Sequence, residues 1–253
     1  MRFYIFIYFF LFVFSCKQFK PKTEEVKNVK PRLDSLFFEP SKKPIEKKPL
    51  ISKLELNLIE KGLVNVQDLD SSILIDIKYS TTDNFMQEDM YGNFNKAYLQ
   101  KNVAEKVVKA QQFLKEINPE LSLLIYDAVR PRHIQQKMWN ALDMPISEKI
   151  KFVSNPKNGS LHNFGAAVDL TLASLTGEAL DMGTAFDYIG ELAYPTLEMQ
   201  NLKAGLLTKQ QIENRKLLRK VMYQAGFFNI QTEWWHFNSC YRKEARELYD
   251  IVE

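Results

Sequence analysis

The sequence predicts a domain that interleaves helices with strands, set behind an N-terminal leader. Three observations predict it. Apolar residues alternate at period two over 73–79 and 167–172, they recur at helical spacing over 103–117 and 218–225, and a cap, glycine or proline closes most of these stretches. With 253 residues, 45% of them hydrophobic, the chain can bury a substantial core in one large or two small domains.

Met1-Arg2 and the apolar run from Phe3 to Phe14 have the length of a signal-peptide core. That run is shorter than the roughly 20 residues a membrane-spanning helix needs. It ends at Val13-Phe14-Ser15-Cys16, which resembles the bacterial lipoprotein signal, so residues 1–16 are expected to be a leader with Cys16 as the lipidated residue. Plain secretion and an uncleaved apolar anchor are the alternatives, because Phe14 is bulkier than that pattern usually carries. With Cys16 lipidated, Cys240 is the one thiol left and no intramolecular disulfide can form.

Residues 17–50 hold ten Lys or Arg against five Asp or Glu, with prolines and no apolar period. This is the composition of a disordered tether, and the folded domain is expected over 51–253. Subtracting the tether's +5 and Arg2 from the overall +3 leaves −3 on the folded part. A slightly acidic domain argues against a nucleic-acid partner, and no protein partner is expected.

Ile73, Ile75, Ile77 and Tyr79 alternate with Leu74, Asp76 and Lys78, which predicts a half-buried strand. A polar loop, Ser80 to Met86, follows and exposes Phe85. From about Lys96 the spacing of Val103, Val107, Ala110, Leu114 and Ile117 predicts a helix stopped by Asn118-Pro119. Leu121 to Tyr126 is a strongly apolar strand that delivers Asp127-Ala128-Val129-Arg130-Pro131 at its end. Pro131 suits the first turn of the next helix, whose buried side is marked by Ile134, Met138, Trp139 and Leu142. Arg130 therefore stands at a strand-to-helix junction, either facing a pocket or paired with Asp127 on the surface.

The stretch Ser160-Leu161-His162-Asn163-Phe164-Gly165-Ala166-Ala167-Val168-Asp169-Leu170-Thr171-Leu172 places a histidine and a carboxylate seven residues apart, across a turn at Gly165. In the strand that follows the turn, Ala167, Asp169 and Thr171 share one face and Val168, Leu170 and Leu172 the other, so Asp169 points away from the apolar layer. After a loop containing Asp181 and Asp187, Thr208 to Gln211 fits a capping box, Leu218, Val221, Met222 and Ala225 carry a helical stripe, and Gly226 ends it. A strand over 227–232 then leads to Glu233-Trp234-Trp235-His236-Phe237.

Imidazole nitrogen and carboxylate oxygen are ligand types that hold zinc at about 2.0–2.2 Å. If His162, Asp169 and His236 converge, the ion has three protein ligands and one open position, the arrangement of catalytic rather than structural zinc. Glu233 could then take a proton from water and hand it to a leaving amine. A strict strand puts Glu233 and His236 on opposite faces, so the backbone must bend between them. His133, in the helix after Arg132, reads as a surface residue, and Trp234 and Trp235 as core or rim aromatics.

These residues resemble the D-alanyl-D-alanine dipeptidase family, the VanX-like zinc peptidases of the D,D-peptidase (hedgehog-type) superfamily. The similarity runs through Asp76 to Phe85, Asp127 to Pro131, Ser160 to Gly165, Ala167 to Leu172, Met182 to Asp187 and Glu233 to His236. It implies an α+β fold with a mostly antiparallel central sheet flanked by helices. By position it implies one zinc held by His162, Asp169 and His236, with Glu233 as catalytic base and later acid and Arg130 stabilising the transition state. Ser160 and Tyr79 would help hold the substrate, and Asp187 would take its free ammonium group. The implied substrate is a small D-amino-acid dipeptide, D-alanyl-D-alanine.

Family members can be soluble and cytoplasmic, whereas this chain begins with a lipoprotein-type leader. An exported enzyme, lipid-anchored in the periplasm or cell envelope and trimming or salvaging wall fragments, is therefore expected. A D,D- or L,D-carboxypeptidase acting on longer peptidoglycan stem peptides would need an open groove in place of a closed pocket. A non-catalytic wall-binding lipoprotein would keep the metal as a staple, with no use for Glu233 or Arg130.

Overall fold

Period-two alternation decides the layering of this domain, because each central strand sends one set of side chains to a helix layer and the other set to the opposite face. The computed structural model describes residues 52–150 and 152–253. The leader, Cys16, the tether and Ile51 lie outside the described residues. Among the described residues no helix is long and apolar enough to cross a membrane.

The chain opens with α1 (Lys53–Glu60), whose N-cap Ser52 accepts from the Glu55 N–H at 3.1 Å, followed by β1 (Leu63–Asn65), α2 (Val66–Leu69) and β2 (Leu74–Ile75). Then come β3 (Tyr98–Gln100), α3 (Lys101–Ile117), β4 (Leu121–Asp127), α4 (Arg132–Ala141) and α5 (Ile146–Lys149). The second half holds β5 (Ala167–Ser174), α6 (Glu198–Lys203), α7 (Lys209–Gln224), β6 (Phe228–Asn229), β7 (His236–Asn238) and α8 (Arg242–Leu248). The main sheet has five strands in the order β2-β4-β5-β7-β6, parallel only between β2 and β4, and β1 pairs with β3 in a separate antiparallel ribbon. This is the α+β class with a mostly antiparallel sheet.

Leu121, Leu123 and Ile125 of β4, Val168, Leu170 and Leu172 of β5, and Phe237 of β7 share one buried cluster with Val103, Val107 and Leu114 of α3 and Leu218, Val221 and Met222 of α7. Burying a Leu or Ile side chain contributes about 1.5–3 kcal/mol, so this layer fixes which face each strand shows the helices. The polar members of the same strands, Asp127, Asp169 and His236, are left on the other face. Helix ends follow the sequence signals: Thr208 and Gln211 form the reciprocal capping box of α7, and Gly226 lies just beyond its end at φ +87°.

Three expected elements prove shorter. The strand expected over 73–79 is extended and paired only at Leu74–Ile75, and Lys78–Ser80 turns into a 3-10 helix, which buries Tyr79 on the site side. The helix expected from Lys96 starts at Lys101, because Tyr98–Gln100 pairs with β1, and the strand expected over 227–232 is regular only at Phe228–Asn229. Short strands are set by available partners, which apolar periodicity does not encode.

Gly165 closes the 3-10 turn His162–Phe164 at φ +63°, and its N–H donates to the His162 carbonyl at 3.0 Å. A Cβ there would stand 3.0 Å from Leu63 Cδ2 and 3.3 Å from the Gln100 backbone nitrogen. Gly165→Ala should lower stability by about 1–2 kcal/mol from the left-handed backbone alone, and by more if Leu63 cannot yield. Urea denaturation checks this: an unchanged midpoint would mean that the turn tolerates a side chain.

Candidate metal centre

Register places the site. Asp169 of β5 lies directly opposite His236 of β7, and Asp127 of β4 opposite Asp169, with a bulge between Ile125 and Asp127. Directly paired residues on neighbouring strands project side by side on the same face, so three polar side chains form a row across three strands. His162 reaches that row from the turn just before β5. Its ring is held by a hydrogen bond from Nδ1 to the Ala128 carbonyl, 2.7 Å away.

Because a carbonyl only accepts, His162 Nδ1 carries the proton and Nε2 offers a lone pair. His236 Nε2 likewise donates to Asn238 Oδ1 at 2.8 Å, which turns its Nδ1 lone pair inward. His162 Nε2 and His236 Nδ1 are 3.1 Å apart, and Asp169 Oδ1 lies 2.9 Å from His236 Nδ1 and 3.4 Å from His162 Nε2. Three electron-pair donors thus converge with no proton donor among them, an arrangement that calls for a positive charge. Ligand atoms around a tetrahedral ion with bonds of about 2.0–2.2 Å stand about 3.3–3.6 Å apart, close to this triangle. The residues fit a divalent metal of zinc's size. His162, Asp169 and His236 are also the one group of this kind found among the described residues. His133 is exposed and takes no part.

The protein groups taken alone show the same demand. Burial opposes charge on both Asp169 and His162, yet their attraction holds Asp169 well below the carboxylate range and lifts His162 above its ordinary value of 6.5. Glu233 sits just before β7, and bends at Trp234 and Trp235 bring its carboxylate round to the site side, with Oε2 4.0 Å from His236 Nδ1. The expected bend is therefore present. Burial pushes the Glu233 carboxyl up to about 8, Asp169 and Asp187 add to the rise, and His236 and Arg130 oppose it. A carboxyl so placed can hold or release a proton near neutral pH.

Arg130 faces the cavity, and it is also paired with Asp127, though not on the surface as the alternative reading had it. Asp127 Oδ2 accepts from Arg130 Nε at 3.0 Å and Nη2 at 2.6 Å, and Nη2 is 3.7 Å from Asp169 Oδ2. The pair is buried rather than superficial, with the guanidinium 5.0 Å over the Tyr79 ring. Tyr79 in turn donates to Asp187 Oδ2 at 2.8 Å. Burial raises Asp187 from 3.8 to about 7, with the Tyr79 hydrogen bond opposing, and burial together with Asp187 keeps the Tyr79 phenol protonated well above 10. Ser160 is held by Gln135, its Oγ donating to Oε1 at 2.6 Å.

All eight residues expected at the site line one cavity of about 200 Å³, joined by Phe85, Phe152 and Trp235. Phe164 is buried against Ala166 and Ala245. Four supports were not foreseen: Gln135, Asn238, the Ala128 carbonyl, and Tyr91, which donates to Asp127 Oδ1 at 2.9 Å. Asn238 was open to period-two reasoning, since it shares a strand face with His236. The carbonyl and Tyr91 leave no pattern in sequence. Trp234 and Trp235 are core aromatics, and Trp234 donates to Thr184 at 2.7 Å.

A mixed helix-and-sheet domain carrying two imidazoles, a carboxylate and an acid-base glutamate in one cavity is the construction of a metallopeptidase. Comparison with known proteins gives the family. A family model described as D-ala-D-ala dipeptidase matches residues 59–251, and the chain belongs to that family. The D-alanyl-D-alanine dipeptidase of Escherichia coli is 31% identical over 175 residues, covering 69% of this chain and 83% of that protein. The D-alanyl-D-alanine dipeptidase of Enterococcus faecalis is 29% identical over 194 residues, covering 71% and 92%. Among solved structures, VanYB in complex with D-alanine-D-alanine shares 14% identity with a TM-score of 0.36, over 71% of this chain and 91% of that one.

Asp187 also gives a pH prediction. Its carboxyl ionises near 3.8 when unfolded and near 7 when folded, so unfolding is favoured increasingly as pH rises between those values. Asp187→Asn removes this loss and keeps a side chain that tolerates the left-handed backbone at φ +59°. The metal-free variant should gain thermal stability over the parent from pH 4 to pH 7, and parallel melting curves across that range would contradict the assignment.

Proposed function

We propose that this protein hydrolyses D-alanyl-D-alanine with one zinc ion held by His162, Asp169 and His236. The observation that carries the reading is the triangle of lone pairs at 2.9–3.4 Å with the Glu233 carboxylate 4.0 Å from one corner. When bound, zinc supplies Lewis acidity and brings the pKa of water down to roughly 7. Glu233 takes the proton of the attacking water and delivers it to the departing amine, for which a carboxyl poised near neutrality is suited. Arg130, clamped by Asp127, presents a fixed guanidinium to the negative charge that develops on the carbonyl oxygen, a contribution of several kcal/mol.

Asp187 and Tyr79 receive the substrate ammonium group, and Ser160, whose hydroxyl proton goes to Gln135, offers its oxygen to the peptide N–H. The small cavity favours a dipeptide over a longer stem peptide: about 200 Å³ is below the roughly 300–1,000 Å³ of pockets for larger ligands. The relatives named as D-alanyl-D-alanine dipeptidases support the same substrate. A non-catalytic wall binder would have no use for a buried Arg130 or a raised Glu233.

The leader-like residues 1–16 and the basic stretch 17–50 support export, anchoring through a lipid on Cys16, and a reaction in the periplasm or cell envelope. Wall-fragment trimming or salvage fits that location.

Release of D-alanine from D-alanyl-D-alanine and from a stem pentapeptide, measured with zinc-loaded protein, tests the reading. The dipeptide should be the better substrate, and the reverse preference would make this a carboxypeptidase. Glu233→Ala should keep stoichiometric zinc and lose roughly 100- to 10,000-fold in turnover, whereas His236→Ala should lose both metal and turnover. Retained turnover in Glu233→Ala would remove it as the base.

A further inference from the structure

Charged side chains from several segments line the cavity, and two of the acidic ones, Asp187 and Glu233, also share a side pocket. Beyond His236 the same strand face continues to Asn238, and the chain then turns into α8 at Arg242, which also lines the cavity. The two arginines there differ in one respect. Arg130 is committed to Asp127 at 2.6 and 3.0 Å, whereas the exposed Arg242 side chain has no hydrogen bond or ion pair with any described residue. Arg242 is thus the one arginine of the cavity, among the described residues, that no carboxylate neutralises.

We propose that Arg242 receives the free carboxylate of the substrate. This deepens the reading above and rests on it. A guanidinium presents a planar fork that matches a carboxylate, and one without an internal partner pays nothing in broken ion pairs when it binds. A dipeptide spans only about 7 Å, and Asp187, Tyr79 and Arg242 line the same cavity, so its ammonium would lie against Asp187 and Tyr79 while its carboxylate faces Arg242. A peptide lacking a free carboxyl terminus loses the contact with Arg242. An uncharged C-terminal amide should accordingly be a poorer substrate for a reason located at one residue.

The test uses the full-length, zinc-loaded protein with D-alanyl-D-alanine and its C-terminal amide. Wild type should prefer the free acid in kcat/KM by roughly 10- to 100-fold, the effect of one charge-assisted hydrogen bond. Arg242→Gln should erase that preference, chiefly through a higher KM for the acid, and Arg242→Lys should restore part of it. An acid-to-amide preference that is absent in wild type, or that survives unchanged in Arg242→Gln, overturns the proposal. Equal losses on both substrates overturn it too, since they mark a structural role. Wild-type protein that turns over neither substrate overturns the functional reading itself, and this inference with it.

Discussion

Everything at this site depends on the pairing of Asp169 with His236 across β5 and β7. One-residue slippage of either strand in that register would send its own polar side chain into the helix layer and bring its apolar neighbour, Val168 or Phe237, out to the cavity. The helix layer forbids it: Val168, Leu170, Leu172 and Phe237 bury fully against α3 and α7, so the hydrophobic effect holds the polar row in place from the opposite face. The candidate ligands are thus aligned by residues on the opposite face of the sheet. His162 completes the set because the Gly165 turn folds back on the start of β5, and the Ala128 carbonyl decides which ring nitrogen is free.

A second set of contacts keeps opposite charges apart where they are needed. Asp127 is buried between Arg130 and Tyr91, so the guanidinium is held beside Asp169 without collapsing onto it: the nearest approach is 3.7 Å, against 2.6 Å to Asp127. Breaking such a buried pair from one side is costly because the survivor is left charged and unsolvated. The same economy explains Asp187 and Glu233, two carboxyls whose burial raises them toward neutrality instead of leaving bare anions near Asp169. Acidic, imidazole and cationic groups thus share one small cavity.

Much of this was legible in the sequence. The alternation at 167–172 gave the correct face for Asp169, the capping box gave the start of α7, and Gly226 its end. The two histidine segments and Glu233 named the candidate ligands and base, and the odd spacing from Glu233 to His236 demanded the bend that Trp234 and Trp235 supply. Strand lengths were not legible, because Leu74–Ile75 and Phe228–Asn229 stop where their partners stop. Nor were Gln135, Tyr91 and the Ala128 carbonyl, whose importance lies in what comes near them after folding.

By itself the sequence determined the chemistry available: which side chains can ligate, which can carry a proton, and which face of each strand is apolar, since these follow from residue type and local period. Only the tertiary structure decided that His162, Asp169 and His236 meet within 3.4 Å, that Arg130 is buried on Asp127, and that Arg242 lines the cavity with no partner among the described residues. Those are distances between segments 67 or more residues apart for His236, and they are set by strand register and helix packing, which no local pattern contains.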